Sequence, residues 1–113
     1  MMQDLIDTLR DEQHTLVVLH DGRIRTFDGQ GVRRLYNIMN DEPELLYDAK
    51  VAAKAVGRSA ASMMVDGGVV EVYAEYISQQ AYDKLTEAGI KVSFDKKLEH
   101  ADFLEVWRKL GEI

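Results

Sequence analysis

Cysteine is missing from all 113 residues, so disulfides, thiolate nucleophiles and thiolate metal ligands are excluded together. Basic charge is in deficit: 14 Lys and Arg stand against 20 Asp and Glu, for a net charge of −6. That balance excludes general binding to DNA or RNA polymers, because phosphate neutralisation dominates such affinity. It leaves room for a local basic patch that holds one small anion. Long apolar runs are lacking too. None approaches the roughly 20 residues that cross a bilayer. The opening MMQDLIDTLRDEQ carries acids where a secretory signal carries a basic and then an apolar region. The expectation is a cytoplasmic protein with no membrane partner. There is no internal repeat, linker or low-complexity segment, and a 30% charged fraction is that of an ordinary soluble domain. Residues 1–113 read as one domain with a single core.

What is present is a succession of amphipathic and apolar segments. Leu5, Ile6 and Leu9 share one face of an opening helix over residues 2–12. Residues 14–20 form a strand that is apolar at its centre, and Asp21-Gly22 is the usual two-residue hairpin turn. Residues 23–27 alternate, which predicts an edge strand with Arg23 and Arg25 outward. Val32, Leu35, Tyr36 and Met39 mark a second helix, and Pro43, the only proline, sits in the loop that follows.

The Ala-rich run over residues 51–65 fills most faces of a helical wheel, which predicts a helix buried on several sides. Lys50, Lys54 and Arg58, at four-residue spacing, would stack as one polar stripe along it. Gly57 leaves two readings open. Either a neighbour packs hard against it, or the helix proper starts near Arg58-Ser59 and Gly57 closes a preceding turn. In the second case Ser59 and the freed N–H groups face a pocket beside cations, an anion-binding arrangement. Asp66-Gly67-Gly68 stops the helix. Residues 69–74 read as a strand buried on both faces, of the kind found in parallel sheets. Ser78 is a natural N-cap for the next helix, Gly89 ends it, residues 90–94 form a short strand, and a last helix packs through Phe103, Leu104, Val106, Trp107 and Leu110. The order is a three-layer α/β/α sandwich with a mixed sheet of four strands, a hairpin followed by a parallel βαβ unit.

The segments LVVLHDGRIRTF, GVRRLYNIMNDEPELL, KVAAKAVGRSAASMMVDGGVVEVYAEYIS and AYDKLTEAGIKVSF together resemble a small bacterial family, domain-of-unknown-function family 1893. The most specific pieces are Lys54-x-x-Gly57-Arg58-x-Ala60-Ala61 and Gly67-Gly68-Val69-x-x-Val72-Tyr73-Ala74, and the resemblance runs over residues 16–94. It implies a cytidine-deaminase-like fold. In active zinc deaminases a His or Cys ligand and a Glu acid/base open the central helix, and Pro-Cys-x-x-Cys opens the next. Three ligands leave one zinc position open for the attacking water. The matching helix starts here read Gly57-Arg58-Ser59-Ala60-Ala61 and Ile77-Ser78-Gln79-Gln80-Ala81. Neither supplies His, Cys or a carboxylate. The resemblance therefore implies a deaminase-like domain without its zinc site, and no hydrolytic deamination by the usual route.

Other chemistry finds little support. His14 and His20 share a strand face but lie roughly 20 Å apart, too far for one metal ion. His20 reads as a strand-end residue, His100 as part of a helix cap, and Ser59, Ser62 and Ser78 as buried or capping hydroxyls. No catalytic residue, metal ligand or cofactor is assigned. Ligands of open α/β sheets bind at the carboxyl ends of strands, where Lys54, Gly57, Arg58, Ser59, Tyr76 and Ser78 are expected to converge. The leading expectation is a pocket for a small anionic or nucleotide-like ligand. Arg58 and Lys54 would supply charge, the serines and helix-start amides hydrogen bonds, and Tyr76 a stacking surface. Two alternatives are a structural or protein-interaction module that homo-oligomerises through residues 23–27 and the last helix, and an enzyme with a non-zinc mechanism using His20 or Ser59.

Overall fold

The computed structural model describes residues 2–111. The chain runs α1 (Met2–Asp11), β1 (Leu16–His20), β2 (Arg23–Phe27), α2 (Gly31–Asp41), a 3-10 turn (Pro43–Leu46), β3 (Lys50–Val56), α3 (Arg58–Gly67), β4 (Glu71–Ser78), α4 (Gln79–Glu87), β5 (Lys91–Leu98) and α5 (His100–Lys109). The strands form one sheet in the order β2-β1-β3-β4-β5. β1 is antiparallel to both β2 and β3, whereas β3, β4 and β5 are mutually parallel. The mixed α/β sandwich is as expected, with one strand more than the four read from the sequence.

The extra strand is a correction. Residues 50–56, expected to open the long buried helix, are the central strand β3, paired with β1 on one side and β4 on the other. A run that is apolar on every side carries no period, so it fits a buried strand as well as a buried helix. Alanine's helix propensity is a weak prior, outweighed once both edges of the segment are paired. The small side chains of Ala52 and Ala53 suit a strand covered on both faces. The expected stripe of Lys50, Lys54 and Arg58 does not exist, because the two lysines lie on the strand and Arg58 on the helix after it.

The hairpin turn has Asp21 at φ 51° and Gly22 at φ 78°, the twist that a two-residue turn between antiparallel strands requires. α3 stops at Gly68, whose φ of 87° is the left-handed cap that glycine supplies most easily. Strand alternation divides the core. Leu16 and Val18 of β1 point with Val51, Val72 and Ala74 into the larger core beneath α2, α3 and α4. Val17 points with Ala52 and Tyr73 to the other face, where α1 lays down Leu5 and Leu9. β4 and β5 run farther than expected, to Ser78 and Leu98, which carries the parallel strands up to the starts of α4 and α5. Among the described residues no helix is long and apolar enough to cross a membrane.

Candidate functional site

β3 and β4 are parallel neighbours with Val56 opposite Ile77. The residues that follow, Gly57 and Ser78, are the N-caps of α3 and α4, so two helices begin side by side at the carboxyl edge of the sheet. The Ser78 Oγ accepts from the Ala81 N–H at 3.0 Å, and Ser78 is the one buried polar residue among those described. α3 begins without a side-chain cap and without an acid in its first turn. Its leading N–H groups therefore have no partner from the helix itself.

α5 lies over this edge. The Phe103 ring fills the space beside Gly57, where an added Cβ would stand 2.9 Å from Phe103 Cε2. Both readings of Gly57 thus hold in part: the helix starts after it, and a side chain of α5 packs tightly on it. Gly57, Arg58, Ser59 and Ser78 line a chamber of about 90 Å³ together with His100 and Phe103. Val32, Ser59 and Trp107 continue its wall into a cleft of about 790 Å³ between α2 and α3. The cleft takes Arg33, Tyr36 and Asn37 from α2 and Ser62 and Met63 from α3.

Four of the six expected site residues therefore meet, and two do not. Lys54 falls by strand alternation on the Ala52 side of the sheet, toward α1. Tyr76 borders a separate small pocket with Glu75, Asp95 and Lys96. His100, Trp107, Tyr36 and Met63 are wall residues that sequence reading passed over, as a cap-region residue or as packing. An aromatic helix face looks the same from sequence whether it covers core or cleft.

Arg58 is exposed and makes no ion pair among the described residues. Some other cations are paired, as Arg25 is with Glu42 and Lys50 with Glu71. Arg10 binds Asp95 and the Tyr73 hydroxyl, which itself donates to Asp95 at 2.7 Å, tying α1 to β4 and β5. Burial first, and then Asp95, hold the Tyr73 phenol above its ordinary value. His14 lies 2.7 Å from Asp28, which raises its pKa. His20 meets the Tyr47 carbonyl at 3.0 Å, at the end of the sheet opposite Ser59. Among the described residues no three His, Cys, Asp or Glu side chains gather as a metal ion would need.

The family model TM1506, a domain of unknown function (DUF1893), matches residues 4–101. The chain belongs to the DUF1893 family. It resembles the crystal structure of a DUF1893 family protein, TM1506, from Thermotoga maritima with a TM-score of 0.76 at 21% identity. That likeness covers 86% of this chain and 65% of the other, so the chain spans less than two thirds of its solved relative. A weaker likeness joins it to a diaminohydroxyphosphoribosylaminopyrimidine deaminase/5-amino-6-(5-phosphoribosylamino)uracil reductase from Thermotoga maritima. There the TM-score is 0.50 at 16% identity, over 82% of this chain and 31% of that one. At such identities the likeness is one of fold, and it makes this DUF1893 fold deaminase-like. No curated protein matches in sequence. α5 starts at His100, so nearly all of it lies beyond the DUF1893 match.

Proposed function

We propose that this DUF1893 domain is a binding module whose cleft takes a small anionic or nucleotide-like ligand, and that it does not carry out zinc-dependent deamination. The observation that supports it best is Arg58. A cation in the first turn of a helix faces the positive end of the macrodipole and is disfavoured by roughly 0.3–1 kcal/mol. No acid in that turn offsets it, and no ion pair among the described residues holds it elsewhere. An anion in the chamber would satisfy the guanidinium and the uncapped α3 amides together. The Ser78 hydroxyl, accepting from Ala81, keeps its own proton to donate.

The donor set does not fit a zinc ion. The chamber offers two serine hydroxyls, a guanidinium and a single imidazole, His100, whereas catalytic zinc is held by three His, Cys or carboxylate ligands. Thermal-shift titration with nucleosides, nucleotides and sugar phosphates tests the proposal. Phosphate-bearing compounds should raise the melting temperature, and Arg58→Ala should abolish the rise. A panel without any shift, or a shift indifferent to Arg58→Ala, refutes it.

A second reading is self-association. β2 and β5 are open sheet edges with mostly exposed side chains, and open edges template pairing unless charge opposes it. Light scattering on the purified protein decides: a dimer supports this reading and a monomer ends it.

A further inference from the structure

β5 ends the sheet, with β4 on one side and no strand on the other among the described residues. The Lys91 N–H donates to the Val70 carbonyl, on the β4 side. Successive residues of a strand send their backbone groups to alternate edges, so those of Val92 and Phe94 face the open edge. Backbone donors and acceptors left over in this way are available to a second strand. The side chains around them are accessible. Phe94 is 37% exposed although its ring meets Tyr82 edge-on, and Lys91, Ser93 and Asp95 are exposed on the opposite face of the strand.

A second copy pairing antiparallel across this edge is held to registers in which outward residues meet outward residues. Centring the two-fold on Ser93 sets Val92 opposite the partner's Phe94, so their free backbone groups bond one another, and sets Lys91 opposite the partner's Asp95. By symmetry each of these contacts occurs twice. Neighbouring registers do worse. Centring on Phe94 opposes Lys91 to the partner's Lys97, centring on Asp95 opposes that carboxylate to its own copy, and centring on Val92 pairs no charges. Lys91 makes no ion pair among the described residues. Asp95 holds Arg10 and the Tyr73 hydroxyl through Oδ2, which leaves Oδ1 for the partner's Lys91. The other open edge lacks such complementarity, because the only charged side chains of β2 are Arg23 and Arg25. We infer that a second copy of this chain pairs antiparallel along β5 about Ser93, joining two sheets into one. This rests on the self-association reading above and adds the edge, the register and the contacts that fix it.

The chain has no cysteine, so Ser93→Cys places the only thiol on the two-fold. Facing residues of a non-hydrogen-bonded antiparallel pair lie about 4.5 Å apart between Cα atoms, within the roughly 4.4–6.8 Å that a disulfide spans. Mild oxidation of the full chain should therefore give a disulfide-linked dimer on a non-reducing gel for Ser93→Cys. Thr26→Cys, exposed on β2, should cross-link far more slowly. Sedimentation equilibrium over a range of concentrations should show the unmodified protein dimerising. Lys91→Glu, which sets like charges opposite each other at both ends of the pairing, should raise the dimer dissociation constant about ten-fold or more. Lys91 is exposed and outside any ion pair among the described residues, so this variant keeps its fold. A dimer whose Ser93→Cys form cross-links no faster than Thr26→Cys, or whose dissociation constant ignores Lys91→Glu, overturns the β5 pairing and leaves self-association through another surface standing. A monomer at every concentration ends both.

Discussion

Replacing Gly57 by alanine tests the packing of α5 directly. The Gly57 backbone, at φ −101° and ψ −175°, is open to any residue, so no conformational strain is involved. The steric problem is Phe103, whose Cε2 and Cζ would lie 2.9 and 3.3 Å from the new methyl group. Carbon pairs settle at about 3.5–4.0 Å, so the ring must retreat by roughly 0.5–1 Å. Phe103 is only 2% exposed and cannot swing aside without leaving its packing. Overpacking of this kind costs about 1–3 kcal/mol, and alanine is a poorer N-cap than glycine by roughly 0.5–1 kcal/mol. Lower entropy of the unfolded chain offsets about 0.4–1 kcal/mol. The net expectation for Gly57→Ala is a destabilisation of about 1–3 kcal/mol, a fall in Tm of roughly 4–12 °C for a domain of this size. Urea denaturation followed by far-UV circular dichroism and by Trp107 fluorescence measures it. A double-mutant cycle with Phe103→Leu assigns the cause: with the ring gone, Gly57→Ala should cost at least about 1 kcal/mol less. A neutral or stabilising Gly57→Ala, or strict additivity in the cycle, refutes the reasoning.

Gly67→Ala meets a harder wall, since the new Cβ would stand 2.8 Å from both Cβ and Cδ1 of the fully buried Leu46. It should lose about 1–3 kcal/mol by overpacking despite alanine's better helix propensity, and a higher Tm would contradict that. Ser78→Ala removes the α4 cap and should lower stability by about 1 kcal/mol in urea titration; an unchanged midpoint would show that the cap is energetically idle. His14, raised by Asp28, should titrate above the ordinary value of about 6.5 in an NMR pH series, and Asp28→Asn should bring it back. Because its folded pKa is the higher one, its contribution is complete below about pH 6.5 and is lost as pH rises through the folded value. The slope should be shallower in Asp28→Asn, where Glu12 alone still favours the charged imidazole.

Local signals in the sequence were sufficient for most elements. The hairpin at Asp21-Gly22 needs only residues that accept positive φ, and α1 and α2 need only a 3.6-residue apolar period. The stop at Gly68 and the cap at Ser78 are decided within four residues of chain. Even the pairing of the starts of α3 and α4 follows once two parallel strands are recognised before them.

Residues 50–56 are different, because an apolar alanine-rich run has no period to read and its conformation depends on what covers it. The pairing partners of β3 come from residues 16–19 and 71–77, and only their arrival on both edges made it a strand. That one change of conformation also reassigned the site. Two-residue alternation sent Lys54 to the α1 face, while Arg58, after the break at Gly57, stayed at the carboxyl edge. Likewise the composition of α5 announced an aromatic packing face but not what it would cover. Sequence by itself determined which segments could be helices, turns and caps, since those depend on neighbours a few residues away. Tertiary structure decided that Phe103 and Trp107 close a cleft beside Gly57, since that depends on contacts between residues more than forty positions apart.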